Sequence, residues 1–249
     1  MQPGGSNIKS NIAIVTGGVT GIGNAVAQAL SSGGYHVVVC DVDAERGKAL
    51  EQQDPNFSFQ QCDVADEQQV RDLVHGVRDR YGRIDVLVNN AGIIRRRTDE
   101  TINVSDWDDV FAVNARGAFL FCTYVAGVMR SQQSGRIVNI SSIAGKLGDI
   151  TSAPGYGPSK AAMDALTKTF ARELAPFGVT VNGVAPHAIR TEMSAEWSDE
   201  KRREVIASIP LKRLGEPQEV AAAVLFLVSA SAGFITGEII DVNGGTIMD

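Results

Sequence analysis

The amino-acid sequence predicts an α/β fold: a single doubly wound parallel sheet of seven strands, with helices on both faces. Three observations predict it. Short β-branched runs alternate with longer helical patterns along nearly the whole chain, which is the rhythm of right-handed βαβ crossovers. Each strand candidate is an almost continuous apolar run, as expected for parallel strands covered on both faces. The first of these runs leads straight into a glycine cluster and then a helix.

In chain order, strands are expected at 12–15, 35–40, 57–61, 84–88, 136–141 and 179–184, with a late one at 239–242. Helices are expected between them at 21–32, 44–52, 67–81, 105–131, 156–175 and 216–229. The helix at 156 must begin close to Tyr156, because Pro158 is tolerated only in a first turn, where its missing N–H has no partner to lose. The stretch 187–213 breaks the rhythm. It is polar, carries Met193, Trp197 and Pro210, and is read as a mobile substrate lid over the carboxyl edge of the sheet, where ligands of such folds bind. No repeat, low-complexity tract or Pro-rich linker divides the chain. Residues 11–249 are therefore expected to form a single domain behind a frayed polar tail, 1–10.

Composition narrows the function classes. The net charge is −6, so the chain has no electrostatic attraction to nucleic acid or an anionic membrane. Neither is expected as a partner. The longest apolar run, 220–228, is too short to span a bilayer, and no secretory signal stands at the N-terminus. Cys40, Cys62 and Cys122 are odd in number and form no CxxC pair. They argue against a disulfide framework or zinc site and fit a reducing, cytoplasmic setting. No cluster of His and carboxylates suggests a metal; His36 and His75 need no functional explanation.

The glycine cluster reads Thr16-Gly17-Gly18-Val19-Thr20-Gly21-Ile22-Gly23. Glycines at a strand–helix turn let the backbone approach a pyrophosphate, and the helix N-terminus favours the anion. Asp41 ends the second strand, about 20 residues on, where a dinucleotide site wants a carboxylate for the ribose 2′-hydroxyl. No Lys-Ser/Thr follows the glycines, which excludes a Walker-type phosphate loop. Asp41 would repel a 2′-phosphate, and Thr20 and Val42 stand where a cation could offset that repulsion. NAD is therefore expected in preference to NADP.

The Gly17, Gly21, Gly23 spacing is the first of several ordered motifs. Asn89-Asn90-Ala91-Gly92 follows the fourth strand, Asn114 lies in the long helix after it, and Ser142 follows the fifth strand. Tyr156-Gly-Pro-Ser-Lys160 opens the next helix, and a Pro186…Thr191 segment follows the sixth strand. With these motifs the sequence resembles the short-chain dehydrogenase/reductase family, from Ile12 to Gly245. The resemblance implies a Rossmann-type dehydrogenase and a homotetramer. It implies that Gly17, Thr20, Gly21, Ile22 and Gly23 surround the pyrophosphate and its ribose. Asp63 and Val64 would face the adenine, and Asn90, Ala91 and Gly92 would lie along the nucleotide. Pro186, Ile189 and Thr191 would hold the nicotinamide end.

Tyr156 and Lys160, spaced i, i+4, share one helix face. A nearby ammonium lowers a phenol's pKa from about 10, so Tyr156 can exchange a proton with a substrate oxygen while hydride moves to or from the nicotinamide. The resemblance gives Lys160 a second contact, with the nicotinamide ribose. It has Ser142 orient the substrate oxygen, preferred over Ser141 because Gly145 completes a Ser-x2-Gly pattern, and Asn114 support a water relay.

Two departures bear on the substrate. His187 stands where most relatives have Gly, near the nicotinamide, either as a substrate contact or as a packing residue. Arg95-Arg96-Arg97 should lie at the rim, where guanidinium groups could hold an anion or form a solvated charge run. With Arg95, Arg96, His187, Met193 and Trp197 as candidate substrate contacts, the expected small-molecule substrate is a polyol, sugar, or sugar or hydroxy acid. A 3-oxoacyl thioester is the alternative within enzymes. A dinucleotide-sensing regulator is the alternative outside them, although such proteins typically lack the tyrosine.

Overall fold

The computed structural model describes residues 11–97, 100, 101, 103–148 and 155–248; the expected tail, 1–10, lies outside them. Seven parallel strands form one sheet in the order β3-β2-β1-β4-β5-β6-β7. They are β1 Asn11–Thr16, β2 Tyr35–Asp41, β3 Phe57–Gln61, β4 Val86–Asn89, β5 Gly135–Ile140, β6 Val179–Pro186 and β7 Ile239–Val242. Successive crossovers run outward from β1 in one direction and, after β3, return to place β4 on its other side. The carboxyl ends of β1 and β4 therefore flank a switch point, where α/β sheets open a ligand crevice.

The helices are α1 Gly21–Ser32, α2 Ala44–Gln53, α3 Glu67–Tyr81, α4 Val104–Phe111, α5 Ala118–Gln132, the single turn α6 Ala144–Leu147, α7 Tyr156–Leu174, α8 Glu192–Ala195, α9 Asp199–Ser208 and α10 Pro217–Val228. The strands form their hydrogen bonds along their edges and are apolar on both faces, so each face must be covered. On one face, Ile12, Ile14, Leu87 and Ile137 pack against Val74 and Val77 of α3, Phe121 and Met129 of α5 and Leu174 of α7. On the other, Val15, Val39, Val88 and Val184 meet Val26 and Leu30 of α1 and Val224 and Leu227 of α10. Each such fully buried side chain contributes about 1.5–3 kcal/mol. The continuous stretch Val104–Gln132 is long and apolar enough to cross a bilayer, yet 56% of its most apolar window is buried within the fold, as in a core helix.

Two expectations change. The helix expected at 105–131 is three pieces: α4, a π-turn over Ala112–Gly117, and α5. The 187–213 stretch, for which no helix was expected, is partly helical. It carries α8 and α9, and Val205, Ile209 and Leu214 form a small core of their own beneath Trp197 and Ile206.

Candidate active site

The crevice begins at the glycine turn. Gly17 adopts φ 61°, in the left-handed region that favours glycine. A Cβ there would stand 2.8 Å from Ala91 Cα. The turn is fixed from both sides. Gly17 N donates to Cys40 O at 2.8 Å, while Asn90 Nδ2 donates to Thr16 O at 3.1 Å and Gly17 O at 2.8 Å. Thr16 Oγ1 accepts from both Asn90 N and Ala91 N at 3.0 Å. Thr20 is the N-cap of α1, yet its side chain makes no capping bond, and the first turn of α1 carries no acidic residue. The exposed N–H groups and the positive end of the helix dipole are thus left for an anion. These residues fit a pyridine nucleotide: bare backbone and an uncompensated helix end beside an open cleft.

From this turn a cleft of about 610 Å³ runs along the carboxyl edge of the sheet. It brings together every sequence-expected residue except Gly23 and Asn114. Gly17, Thr20, Gly21, Ile22, Asp41, Asp63 and Val64 line one end. Asn90, Ala91, Gly92, Ser142, Tyr156, Lys160, Pro186, Ile189 and Thr191 line it too, as do Arg95, Arg96, His187, Met193 and Trp197. Gly23 lies one layer deeper, against the Gly17 carbonyl and Asn90 Nδ2. Asp41 is held at the mouth by Val19 N, which donates to Oδ2 at 3.5 Å, and Asp43 N, which donates to Oδ1 at 3.2 Å. Asp63 Oδ1 accepts from Ala65 N at 2.9 Å.

Lys160 is 3% exposed, and its Nζ donates to Ile140 O at 2.8 Å. The ammonium lies 5.8 Å from the centroid of the Tyr156 ring. Burial lowers the Lys160 pKa to about 8, partly opposed by the charge of Asp164. Asn114 is fully buried in the π-turn. Its Oδ1 accepts from Ile93 N at 2.8 Å, and its Nδ2 donates to Ile93 O and Ser159 Oγ, each at 3.0 Å. Ser159 Oγ in turn donates to Tyr156 O at 2.7 Å. Asn114 thus ties the Gly92–Ile93 loop to the first turn of α7. The π-turn swings this side chain out of helical register, a common use of such turns at functional sites. Ser142 sits opposite, its Oγ accepting from Ala144 N at 3.2 Å.

The buried ammonium has a stability signature. A Lys pKa lowered on folding, from 10.5 to about 8, means the folded state carries a disfavoured charge at every pH below about 8. Between those values only the unfolded chain keeps the proton, so stability rises with pH and the cost is relieved. The nucleotide-free Lys160→Met variant should be more stable than the parent at pH 7 by about 2 kcal/mol: about 3 from the shift, less about 1 for the bond to Ile140 O. Urea unfolding at pH 7 and pH 9.5 should show the advantage shrinking at the higher pH. An advantage independent of pH would refute the buried charge.

The arginine run is otherwise engaged. Arg95 pairs with Asp109 at 3.5 Å and Asp106 at 3.9 Å, and Arg97 with Asp106 at 3.3 Å. Arg96 pairs with Glu196 at 3.1 Å and donates to Met193 O at 3.0 Å. Three supporting residues escaped the sequence reading: Thr16, Ser159 and Asn139. Asn139 accepts from Asn89 Nδ2 and donates to Thr167 Oγ1, each at 2.8 Å, joining β4, β5 and α7 through the core. For Thr16 and Asn139, polar residues near the ends of otherwise apolar strands, that position was the available signal. Among the described residues, no group of His, Cys, Asp and Glu could hold a metal.

Comparisons with known proteins agree with this geometry. The family model described as enoyl-(acyl carrier protein) reductase matches residues 17–246. The 3-oxoacyl-[acyl-carrier-protein] reductase of Aquifex aeolicus is 39% identical over 96% of this chain and 98% of its own. That of Escherichia coli is 36% identical over 97% and 99%. A solved structure described as ElxO with NADP bound superposes with a TM-score of 0.90 at 33% identity, covering 95% of this chain and 98% of the other. With nearly its full length matched and its dinucleotide crevice in place, the chain belongs to the short-chain dehydrogenase/reductase family.

Proposed function

We propose that the chain catalyses hydride transfer between NAD(H) and the ketone of a 3-oxoacyl thioester. The observation that carries the reaction class is the convergence of Tyr156, Lys160 and Ser142 on the wall of the cleft that begins at the glycine turn. The bound nicotinamide supplies or accepts the hydride. Tyr156 gives its phenolic proton to the substrate oxygen in reduction and takes it back in oxidation. The Lys160 ammonium favours the phenolate, and the Ser142 hydroxyl orients the same oxygen and stabilises charge growing on it. Asn114 holds Ile93 and Ser159, so it fixes the walls on both sides of the reacting groups.

The thioester is favoured by the relatives, which are 3-oxoacyl-[acyl-carrier-protein] reductases by name. The expectation of a sugar or hydroxy acid rested on Arg95 and Arg96 as anion holders. Both are paired with carboxylates of this chain, which removes its main support. ElxO was solved with NADP bound, so the choice of nucleotide rests on residues particular to this chain. Asp41 stands at the cleft mouth, Val42 beside it is exposed, and Arg46 on the next helix is paired with Glu192 at 3.1 Å and with Asp43 at 3.5 Å. A carboxylate at the mouth, with Arg46 engaged by other carboxylates, favours the free ribose diol and NAD.

Initial rates with a short 3-oxoacyl thioester and with a polyol and sugar-acid panel, each with both nucleotides, test the reading. The thioester with NADH is expected to give the highest kcat/KM. A polyol or sugar acid turned over faster would discard the thioester, and a preference for NADPH would discard the role of Asp41. Asp41→Ala should narrow the NADH/NADPH ratio by about tenfold, or about 1.4 kcal/mol. An unchanged ratio would mean that the carboxylate does not read the ribose.

A further inference from the structure

Three titratable side chains follow one another along α7, four residues apart: the Tyr156 phenol, the Lys160 ammonium and the Asp164 carboxylate. Residues so spaced share a helix face, with about 5–6 Å between their Cβ atoms. The first two line the cleft. Asp164 lies one turn further along the helix, and the reaction as described gives it no part.

The carboxylate sits where α7 meets the short helix α6. A Cβ on Gly145 would stand 3.0 Å from Asp164 Oδ2, 3.0 Å from the Lys160 carbonyl carbon and 3.0 Å from Ala161 N. The bare backbone of Gly145 therefore presses on Asp164 and on the Lys160 turn at one point. The segment that carries Ser142 rides on the same turn: Ser141 Oγ donates to Lys160 O at 3.4 Å, and Gly145 N donates to Ser142 O at 3.0 Å. Asp164 Oδ1 is shut off from solvent and has no hydrogen-bond partner among the described residues. A buried carboxylate so poorly paired is costly to the fold, which points to a use other than stability.

The cations that act on Asp164 are Lys160 and Lys168 of its own helix and Lys146 of α6. Lys146 Nζ is bonded to Asp241 Oδ2 of β7 at 2.6 Å, so its charge is shared with a second carboxylate. Burial raises the Asp164 pKa, and Ser141 and the three lysines oppose the rise. The support is mutual. Burial lowers the Lys160 pKa, and the charge that opposes this is that of Asp164.

We infer that Asp164 is a positioning residue for proton transfer: its carboxylate, pressed against Gly145 one turn from Lys160, keeps the Lys160 ammonium charged beside Tyr156. The inference rests on the Tyr156–Lys160 part of the proposed reaction and not on the thioester. Reduction of a ketone needs this pair doubly protonated. Removing a nearby negative charge eases proton loss from either member, so the pair gives up its first proton at a lower pH, whichever group loses it.

Asp164→Asn keeps the side-chain shape and removes the charge. In reduction of a 3-oxoacyl thioester, the basic limb of the pH–kcat profile should move to lower pH by about one unit. Titration of Lys160 without nucleotide or substrate gives a second reading. In protein carrying 13C-labelled lysine, the Lys160 Cε resonance is assigned by its loss in Lys160→Met. Its midpoint should lie at about 8 in the parent and fall by about one unit in the variant. Asp164→Ala, which adds no bulk against Gly145, should move both readings in the same direction. A lowered kcat with either reading unmoved in both variants would leave Asp164 a structural residue and overturn the inference. If the Lys160 midpoint falls but the parent does not reduce the thioester, the support of Lys160 by Asp164 stands and the thioester reading fails by itself.

Discussion

Tyr156→Phe is expected to lower kcat by about a thousandfold, within the range of about 10²–10⁴ attributed to one positioned acid–base group. The substitution removes one oxygen and keeps the ring. Tyr156 opens α7, and its ring faces the Lys160 ammonium at 5.8 Å, so the aromatic packing and the helix start should both survive. Nucleotide affinity, read by NADH fluorescence titration, should change by less than about threefold, because the glycine turn and Asp41 are untouched and one neutral hydrogen bond is worth about 1 kcal/mol. The loss should therefore fall on kcat rather than on binding. Turnover retained above about a tenth of the parent value would assign the proton to another group. A parallel loss of nucleotide binding would show that the hydroxyl holds the cofactor rather than the substrate.

The strands and the glycine turn were legible because each is written locally. Ile12-Ala13-Ile14-Val15 can be buried on both faces only as a central parallel strand, and the turn after it needs residues without side chains. Elements set by distant partners were not legible. Between 105 and 131 Asn114 and Gly117 hint at a break, and neither tells a π-turn from a continuous helix; the bonds of Asn114 to Ile93 and Ser159 that accompany the π-turn are made to residues distant in sequence. The arginine run looked available for a substrate anion because the partner of Arg96, Glu196, lies 100 residues away in sequence. Asp106 and Asp109 were closer, yet only the folded path of residues 93–97 brings them beside Arg95 and Arg97.

The same distinction governs His187. A single histidine at a position the family fills with glycine does not say whether its ring packs or binds. The structure adds what the sequence lacks: its Nε2 is shut off from solvent and has no hydrogen-bond partner among the described residues.

Gly23→Ala is expected to weaken nucleotide binding by about a hundredfold or more, near 2.7 kcal/mol. The added methyl would run into the carbonyl oxygen of Gly17 and into Asn90 Nδ2. Neither can give way cheaply. The Gly17 carbonyl belongs to the turn itself, and Asn90 Nδ2 is already bonded to Thr16 O and Gly17 O. Relief of the clash must move α1 away from the turn or break the Asn90 bonds, and either shift misplaces the N–H groups that would receive a pyrophosphate. Overpacking of this kind also costs about 1–3 kcal/mol of stability, so a drop in Tm of several degrees should accompany the loss of affinity. Gly76→Ala is the matching control. Gly76 lies inside α3, where a Cβ meets nothing within 4 Å, so alanine should leave nucleotide affinity alone and stabilise the helix by up to about 1 kcal/mol. If Gly23→Ala loses stability but binds NADH as the parent does, the pyrophosphate does not rest on this turn, and the cofactor's path along the cleft must be redrawn.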